Sequence, residues 1–286
     1  MTTQFFFFQL LNGLSFAALL FFLASGFTLI FGLMRIVNLS HGAYYLVGGY
    51  VGLTVTLATG SFWLGLLAAP LAIGLIGLFT ERVLLRPLRG NVLPEVLLTV
   101  GIAFVFADMS LEIWGGDPRS VPLPEFLRGG IDVGFVTYPR YRFFVMACAL
   151  LVGLALFYLH SRTRIGAMVR AGVDDREMIS ALGLNINRIF TGVFVAGALL
   201  AGMAGLIGGG LLSLVPGADT EILLYSLAVV IIGGLGSLPG AVVGSLIVGM
   251  ADSFGRALLP ELSYFTLFAP MALILVLRPR GLLGRD

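Results

Sequence analysis

His41 is the residue in this chain best suited to acid–base work, and it lies in "RIVNLSHGAYYLVGGYVG", three residues after Asn38 and directly after Ser40. An imidazole titrates near neutral pH and can relay protons or ligate a metal. Both roles need a second group, and no charged residue lies closer in sequence than Arg35, so neither a metal site nor a catalytic dyad is supported. What is left is a structural role: Asn38, Ser40 and His41 satisfy exposed backbone groups at a break between two apolar runs and, with Gly42, help shape a pathway there. Asp108 and Glu112 stand one helical turn apart in "FADMSLEIW". A carboxylate costs about 2.5–3.5 kcal/mol at the centre of a hydrocarbon layer. Asp108 is therefore expected to find a helix-packing hydrogen bond, with a polar cavity or an arginine partner as alternatives. Glu112 belongs near the wet end of its run, and Asp252 has a status similar to Asp108. Cys148 is the single cysteine, so neither an internal disulfide nor a cysteine metal site is expected.

Composition sets the elements that must carry these residues. Of 286 residues, 58% are hydrophobic and 11% charged, with a mean hydropathy of +1.03, far outside the range of soluble domains. Runs such as "FFFFQLLNGLSFAALLFFLASGFTLIFGL" exceed the roughly 20 residues a helix needs to cross a bilayer. They are continuous, without the alternation of barrel strands. The fold class is all-α: a polytopic transmembrane helical bundle forming one domain over residues 1–286. "MTTQFFFF" has no basic leader and no cleavage site follows it, so the first run is expected to stay in the protein. All 17 basic residues are arginine. Without lysine the chain can form neither a P-loop nor a lysine Schiff base.

Apolar runs fall at about Phe5–Leu33, His41–Ala58, Phe62–Phe79, Leu93–Trp114, Phe143–His160, Ile189–Leu214, Leu223–Leu235, Ala241–Phe254 and Tyr264–Leu277. Eight to ten spans are expected, because the two shortest runs are either separate crossings or a pair of half-helices. Arg35 and the segments "ERVLLRPLRG", "SRTRIGAMVRAGVDDREMISALGLNINR" and "RPRGLLGRD" hold 12 arginines against 5 in the complementary loops. The positive-inside rule places the richer set in the cytoplasm. A second break, "IIGGLGSLPGAVVGSLIVG", repeats the character of the first through Gly233, Gly234, Gly236, Ser237, Pro239 and Gly240. Paired interruptions of this kind mark discontinuous helices along a pathway, or tight interhelical turns with close glycine packing. The pairing favours the pathway.

The longest arginine-rich loop contains "RAGVDDREMISALGLNINR". Asp174 followed by Glu177 fits a capping box, Met178, Ala181 and Leu182 share one helical face, and Gly183 is placed to end the helix in a left-handed cap. The spacing predicts a short amphipathic helix outside the membrane, with an apolar stripe suited to a partner's groove. The long outer loop, "GGDPRSVPLPEFLRGGIDVGFVTYPRY", carries balanced charge and reads as a short ordered surface segment.

The arginine-rich loop with "RAGVDDREMISALGLNINR" resembles the coupling loop of ABC-transporter permeases. Together with "FTLIFGLMRIVNLSHGAYYLVGGYV", "GGDPRSVPLP" and "VVIIGGLGSLPGAVVGSLIVGMAD", the chain resembles the branched-chain amino acid permease family of LivH type along essentially its whole length. The resemblance implies translocation of branched-chain or other hydrophobic amino acids across the bacterial inner membrane. The implied partners are a second permease of LivM type, two ATP-binding subunits that hold ATP and Mg, and a periplasmic substrate-binding protein. It implies no cofactor in this chain and no nucleic acid. Coupling to the ATPase would fall to Asp174, Asp175, Glu177, Met178, Ala181, Leu182 and Gly183. Departures from the family's pattern at Tyr225, Ser226 and Asp108 leave the substrate open, with urea or amides as alternatives. From a different class, the alternative is a self-sufficient secondary transporter or channel. An intramembrane enzyme lacks any acid, base and nucleophile cluster.

Overall fold

In the computed structural model, which describes residues 3–134, 136–174, 183 and 185–284, the 32 residues Thr3–Met34 form one helix, α1, without a charged side chain. At 1.5 Å per residue it is about 48 Å long, more than a bilayer core requires. The other helices are α2 (His41–Thr59), α3 (Phe62–Phe79), α4 (Val92–Trp114), α5 (Arg140–Arg162), α6 (Arg164–Asp174), α7 (Ile186–Leu211), α8 (Ala218–Gly233), α9 (Leu238–Leu258) and α10 (Ser263–Leu277). The outer loop contains a small antiparallel hairpin, β1 (Gly130–Val133) and β2 (Val136–Pro139), with Gly130 opposite Pro139. Among the described residues, 6 helices are long and apolar enough to cross a membrane. They include α9, whose 21 residues outlast the apolar run Ala241–Phe254 at both ends. α8 has 16 residues and is short for a crossing. α5 likewise begins earlier than its apolar run, so Arg140 and Arg142 belong to a helix and not to the preceding loop.

α2 is not among those six, and its place in the fold explains why. It is enclosed by α7, α3, α4 and α8, with Tyr44, Tyr45 and Tyr50 almost fully buried. A helix carrying His, Thr and three tyrosines suits a protein interior better than lipid. Burial among neighbours this close requires small residues at the crossings. A Cβ on Gly48 would lie 2.5 Å from the Gly202 Cα, and one on Gly205 would lie 1.9 Å from the Tyr45 carbonyl oxygen. α4 and α5 form the periphery and expose Phe104, Val105, Leu150, Leu154 and Phe157, as lipid-facing helices do.

Contacts sort the arginines by end. Arg89 hydrogen-bonds Asn187, joining two arginine-rich segments, and the chain after Arg278 and Arg280 returns to the end of α8. At the opposite end, the Arg119 backbone pairs with Leu214 and Arg142 reaches Asn12.

Gly205→Ala is expected to overpack the α2–α7 crossing and cost about 1–3 kcal/mol. Gly192→Ala, with nothing within 4 Å of its added Cβ, should be neutral or mildly stabilising. Thermal unfolding of the detergent-purified chain separates the two.

Candidate functional site

The first break is a buried, extended stretch of chain. After Met34 the backbone turns at Arg35 with φ 56°, and residues 35–40 run back into the bundle, burying Ile36, Asn38 and Ser40. The Leu39 N–H donates to the Thr99 hydroxyl on α4 at 3.3 Å. Asn38 Oδ1 accepts from the Ser40 N–H at 3.2 Å and the Ser40 hydroxyl at 2.6 Å, an Asx turn that launches α2. His41 Nε2 donates to the Leu23 carbonyl at 3.0 Å, and its ring stands edge-on to Phe27. Leu23 lies 11 residues before the end of α1, so α2 begins about 16 Å inside that end. With Nε2 protonated, Nδ1 is left as an acceptor; among the described residues neither it nor Asn38 Nδ2 has a partner. Gly42 abuts α8, where an added Cβ would lie 2.2 Å from the Asp219 carbonyl oxygen. Two helix N-termini therefore meet inside the bundle.

The second break differs in kind. Leu235 and Gly236 are exposed, and residues 234–237 form the corner between α8 and α9. There Ser237 Oγ accepts from the Gly240 N–H at 3.1 Å, and Pro239 lies in the first turn of α9. The C-terminal chain closes over this corner. Leu282 and Leu283 donate their N–H groups to the carbonyls of Ile232 and Gly233, both at 2.9 Å, satisfying acceptors that a helix end leaves open. The second break packs against the end of α1, since a Cβ on Gly32 would lie 2.9 Å from the Gly236 Cα. The first carries extended, buried backbone into the bundle, whereas the second lies at an exposed corner. At the second, Gly and Pro sit where the helical hairpin reverses, so Gly233, Gly234, Gly236, Ser237, Pro239 and Gly240 build a tight corner.

A buried ion pair fastens the arginine-rich end. Beyond α3 the helix widens to a π-helical turn over Thr80–Leu85, which carries Glu81 into the interior at 0% exposure. Arg89 pairs with Glu81, donates to Asn187 and lies over the Phe190 ring, 4.5 Å from its centroid. The Thr191 hydroxyl donates to the second Glu81 oxygen. The base of α7, immediately after the expected coupling segment, is thereby tied to α3. Glu81 stands out in the sequence as the one acidic residue of "ERVLLRPLRG"; its burial does not.

At the other end lies a polar cavity of about 870 Å³ between α1, α5, α8 and α9. Arg142 on its wall donates to Asn12 Oδ1, and at 3.3 Å to both the Ser15 and the Tyr138 hydroxyls. Across α8 and α9, the Tyr225 hydroxyl donates to Asp252 Oδ1 at 2.6 Å. Arg256 donates to the same Asp252 oxygen at 2.9 Å and to the Tyr225 oxygen at 2.7 Å. Glu221 reaches Arg256 at 3.6 Å. Asn38, Ser40, His41 and Gly42 do not line this cavity. Asp252 finds its partners here. Asp108 makes no helix-packing hydrogen bond or ion pair among the described residues; it is exposed on α4 and lines a cavity with Phe104, Val105, Leu111 and Pro216.

The expected coupling helix falls mostly on residues 175–182, outside the described residues, which takes in Asp175, Glu177, Met178, Ala181 and Leu182. Asp174, expected to cap it, is the last residue of α6. Gly183 has φ +78°, the left-handed conformation of a helix stop. α6 is itself amphipathic. The Thr163 hydroxyl accepts from the Gly166 N–H at 3.2 Å, and Ile165, Met168 and Val169 turn toward α7 around an apolar cavity. Their i, i+3, i+4 spacing is legible in "RIGAMV" but is overshadowed by the acidic cluster after it.

No group of three or more His, Cys, Asp or Glu able to hold a metal occurs among the described residues. The fold and its polar cavity define a multi-pass helical membrane protein. The chain belongs to the family described as branched-chain amino acid transport system / permease component, whose family model matches residues 9–277. It is 31% identical over 299 residues to the high-affinity branched-chain amino acid transport system permease protein BraD of Pseudomonas aeruginosa, covering 97% of this chain and 95% of that one. It is 30% identical over 310 residues to LivH of Escherichia coli, covering 100% and 98%. To LivM of the same organism it is 28% identical over 285 residues, covering 91% and 67%. No solved structure matches.

Arg89→Ala strands the Glu81 carboxylate and is expected to cost about 3–5 kcal/mol. Arg82→Ala, at an exposed position, should stay within about 0.5 kcal/mol. Glu81→Leu combined with Arg89→Met should recover most of the loss, as read from melting in detergent. By the same measurement His41→Gln, which keeps a donor for Leu23, should hold stability, whereas His41→Leu should lose about 1–3 kcal/mol.

Proposed function

We propose that this chain is the membrane-spanning permease subunit of a binding-protein-dependent ABC importer, carrying branched-chain or other hydrophobic amino acids across the bacterial inner membrane. The observation that carries this reading is the end-to-end similarity to BraD and LivH, whose names state that transport. The weaker similarity to LivM supports pairing with a second, related permease. A chain without lysine cannot supply a P-loop, so ATP and Mg would be bound by two partner ATPases. The arginine-rich end is where those subunits would dock, with the segment from Asp174 to Gly183 as the contact. The Glu81–Arg89 pair would carry its movement to α3. Substrate would arrive at the opposite end from a periplasmic binding protein.

The test is reconstitution in liposomes. Labelled leucine should accumulate only when the second permease, both ATPases, the binding protein and ATP are all supplied. Uptake by this chain alone, driven by an ion gradient and indifferent to ATP, would identify a secondary transporter. With the complete assembly, Met178→Asp and Leu182→Asp should abolish association with the ATPase; undiminished association would remove the coupling assignment.

A further inference from the structure

The cavity between α1, α5, α8 and α9 carries opposite charge on its two walls. On the α5 wall, the Arg142 guanidinium is half-buried and bonds neutral partners only, Asn12, Ser15 and Tyr138. No carboxylate pairs with it among the described residues. On the α8–α9 wall, two carboxylates, Asp252 and Glu221, share the single cation Arg256. That wall is left one negative charge in excess, and the Glu221 contact, at 3.6 Å with both side chains more than half exposed, is weak. A part-buried cation without a counter-ion is costly at the edge of a membrane protein and marks a functional site by default.

The rest of the lining mixes the apolar side chains of Phe16, Leu211, Val215, Ile222 and Ala257 with the polar Gln9, Ser213 and Ser253. A cavity of about 870 Å³ is within the usual range for a small-molecule site, roughly 300–1,000 Å³. The ligand that cancels both charge excesses at once has a carboxylate and an ammonium on one carbon and an apolar side chain. An anion alone, or a neutral amide, would leave one wall uncompensated.

We infer that this cavity is a binding site for a zwitterionic hydrophobic α-amino acid entering the permease. Arg142, braced by Asn12 and Ser15, takes the carboxylate; Glu221 with Asp252 takes the ammonium; Phe16 and Ile222 contact the side chain. The bidentate geometry of a guanidinium suits a carboxylate, and Arg142 keeps its orientation through three neutral acceptors that do not neutralise it. The inference rests on the importer reading, because it presumes that an amino acid is handed to this end.

The test uses the complete importer in proteoliposomes with labelled L-leucine and its binding protein. Arg142→Gln and Glu221→Gln are each expected to lower uptake about tenfold, the loss of one charged contact. ATP hydrolysis stimulated by the loaded binding protein should stay within about twofold of wild type, because docking and coupling are untouched. Glu221 is exposed and weakly paired, so its variant remains informative if Arg142→Gln fails to assemble. Unchanged uptake in Glu221→Gln overturns the site while leaving the importer intact. So does loss of uptake and stimulated hydrolysis together in both variants, which assigns the residues to docking. Wild-type proteoliposomes that accumulate no leucine with ATP overturn the importer reading and this site with it.

Discussion

The arrangement depends on one constraint: α2 must lie within backbone contact of α7. Gly48 against Gly202, and Gly205 against the Tyr45 carbonyl, allow an approach that any side chain would prevent. In lipid, close approach of this kind replaces the hydrophobic effect as the source of helix association. It makes room at the centre of the bundle for a helix too polar to face hydrocarbon. The buried tyrosines, the re-entrant chain from Arg35 to Ser40 and the meeting of α2 with α8 at Gly42 and Asp219 all follow from that placement.

Because α2 starts well inside the end of α1, the bundle has polar backbone at membrane depth. Such backbone is tolerated where protein encloses it, and here the Asn38 and Thr99 side chains supply partners. The two ends of the molecule have different chemistry. The arginine-rich end is closed by the Glu81–Arg89 pair and by the C-terminal chain hydrogen-bonded to the end of α8. The other end opens into the cavity lined by Arg142, Glu221 and Asp252. A subunit built this way has an enterable polar face and a fastened opposite face.

The sequence shows the large features plainly because they are written in composition. Hydropathy gives the helices, the arginine count gives the ends, and "NLSHG" marks a real interruption. Residues linked by distant contacts are hidden. Arg142 reads as a loop arginine because the apolar run starts at Phe143, yet helix α5 begins at Arg140 and aims that side chain at Asn12 on α1. Glu81 reads as an ordinary cytoplasmic charge, since nothing local signals the π-helical turn that buries it. The glycines of the second break look like those of the first; only tertiary packing separates an exposed corner from a buried re-entrant chain. Asp108 departs in the opposite sense: its intrahelical position suggests a packed partner, and among the described residues it lines a cavity without one.

The claim on which the transport reading turns is that the charged cavity opens away from the arginine-rich end. Impermeant maleimide labelling in right-side-out spheroplasts tests it directly, in a Cys148→Ala background with Ala257→Cys in the cavity and Leu235→Cys at the α8–α9 corner. Ala257→Cys should react in intact spheroplasts, and Leu235→Cys only after lysis. The reverse pattern would contradict the orientation and, with it, the assignment of the cavity as the entrance.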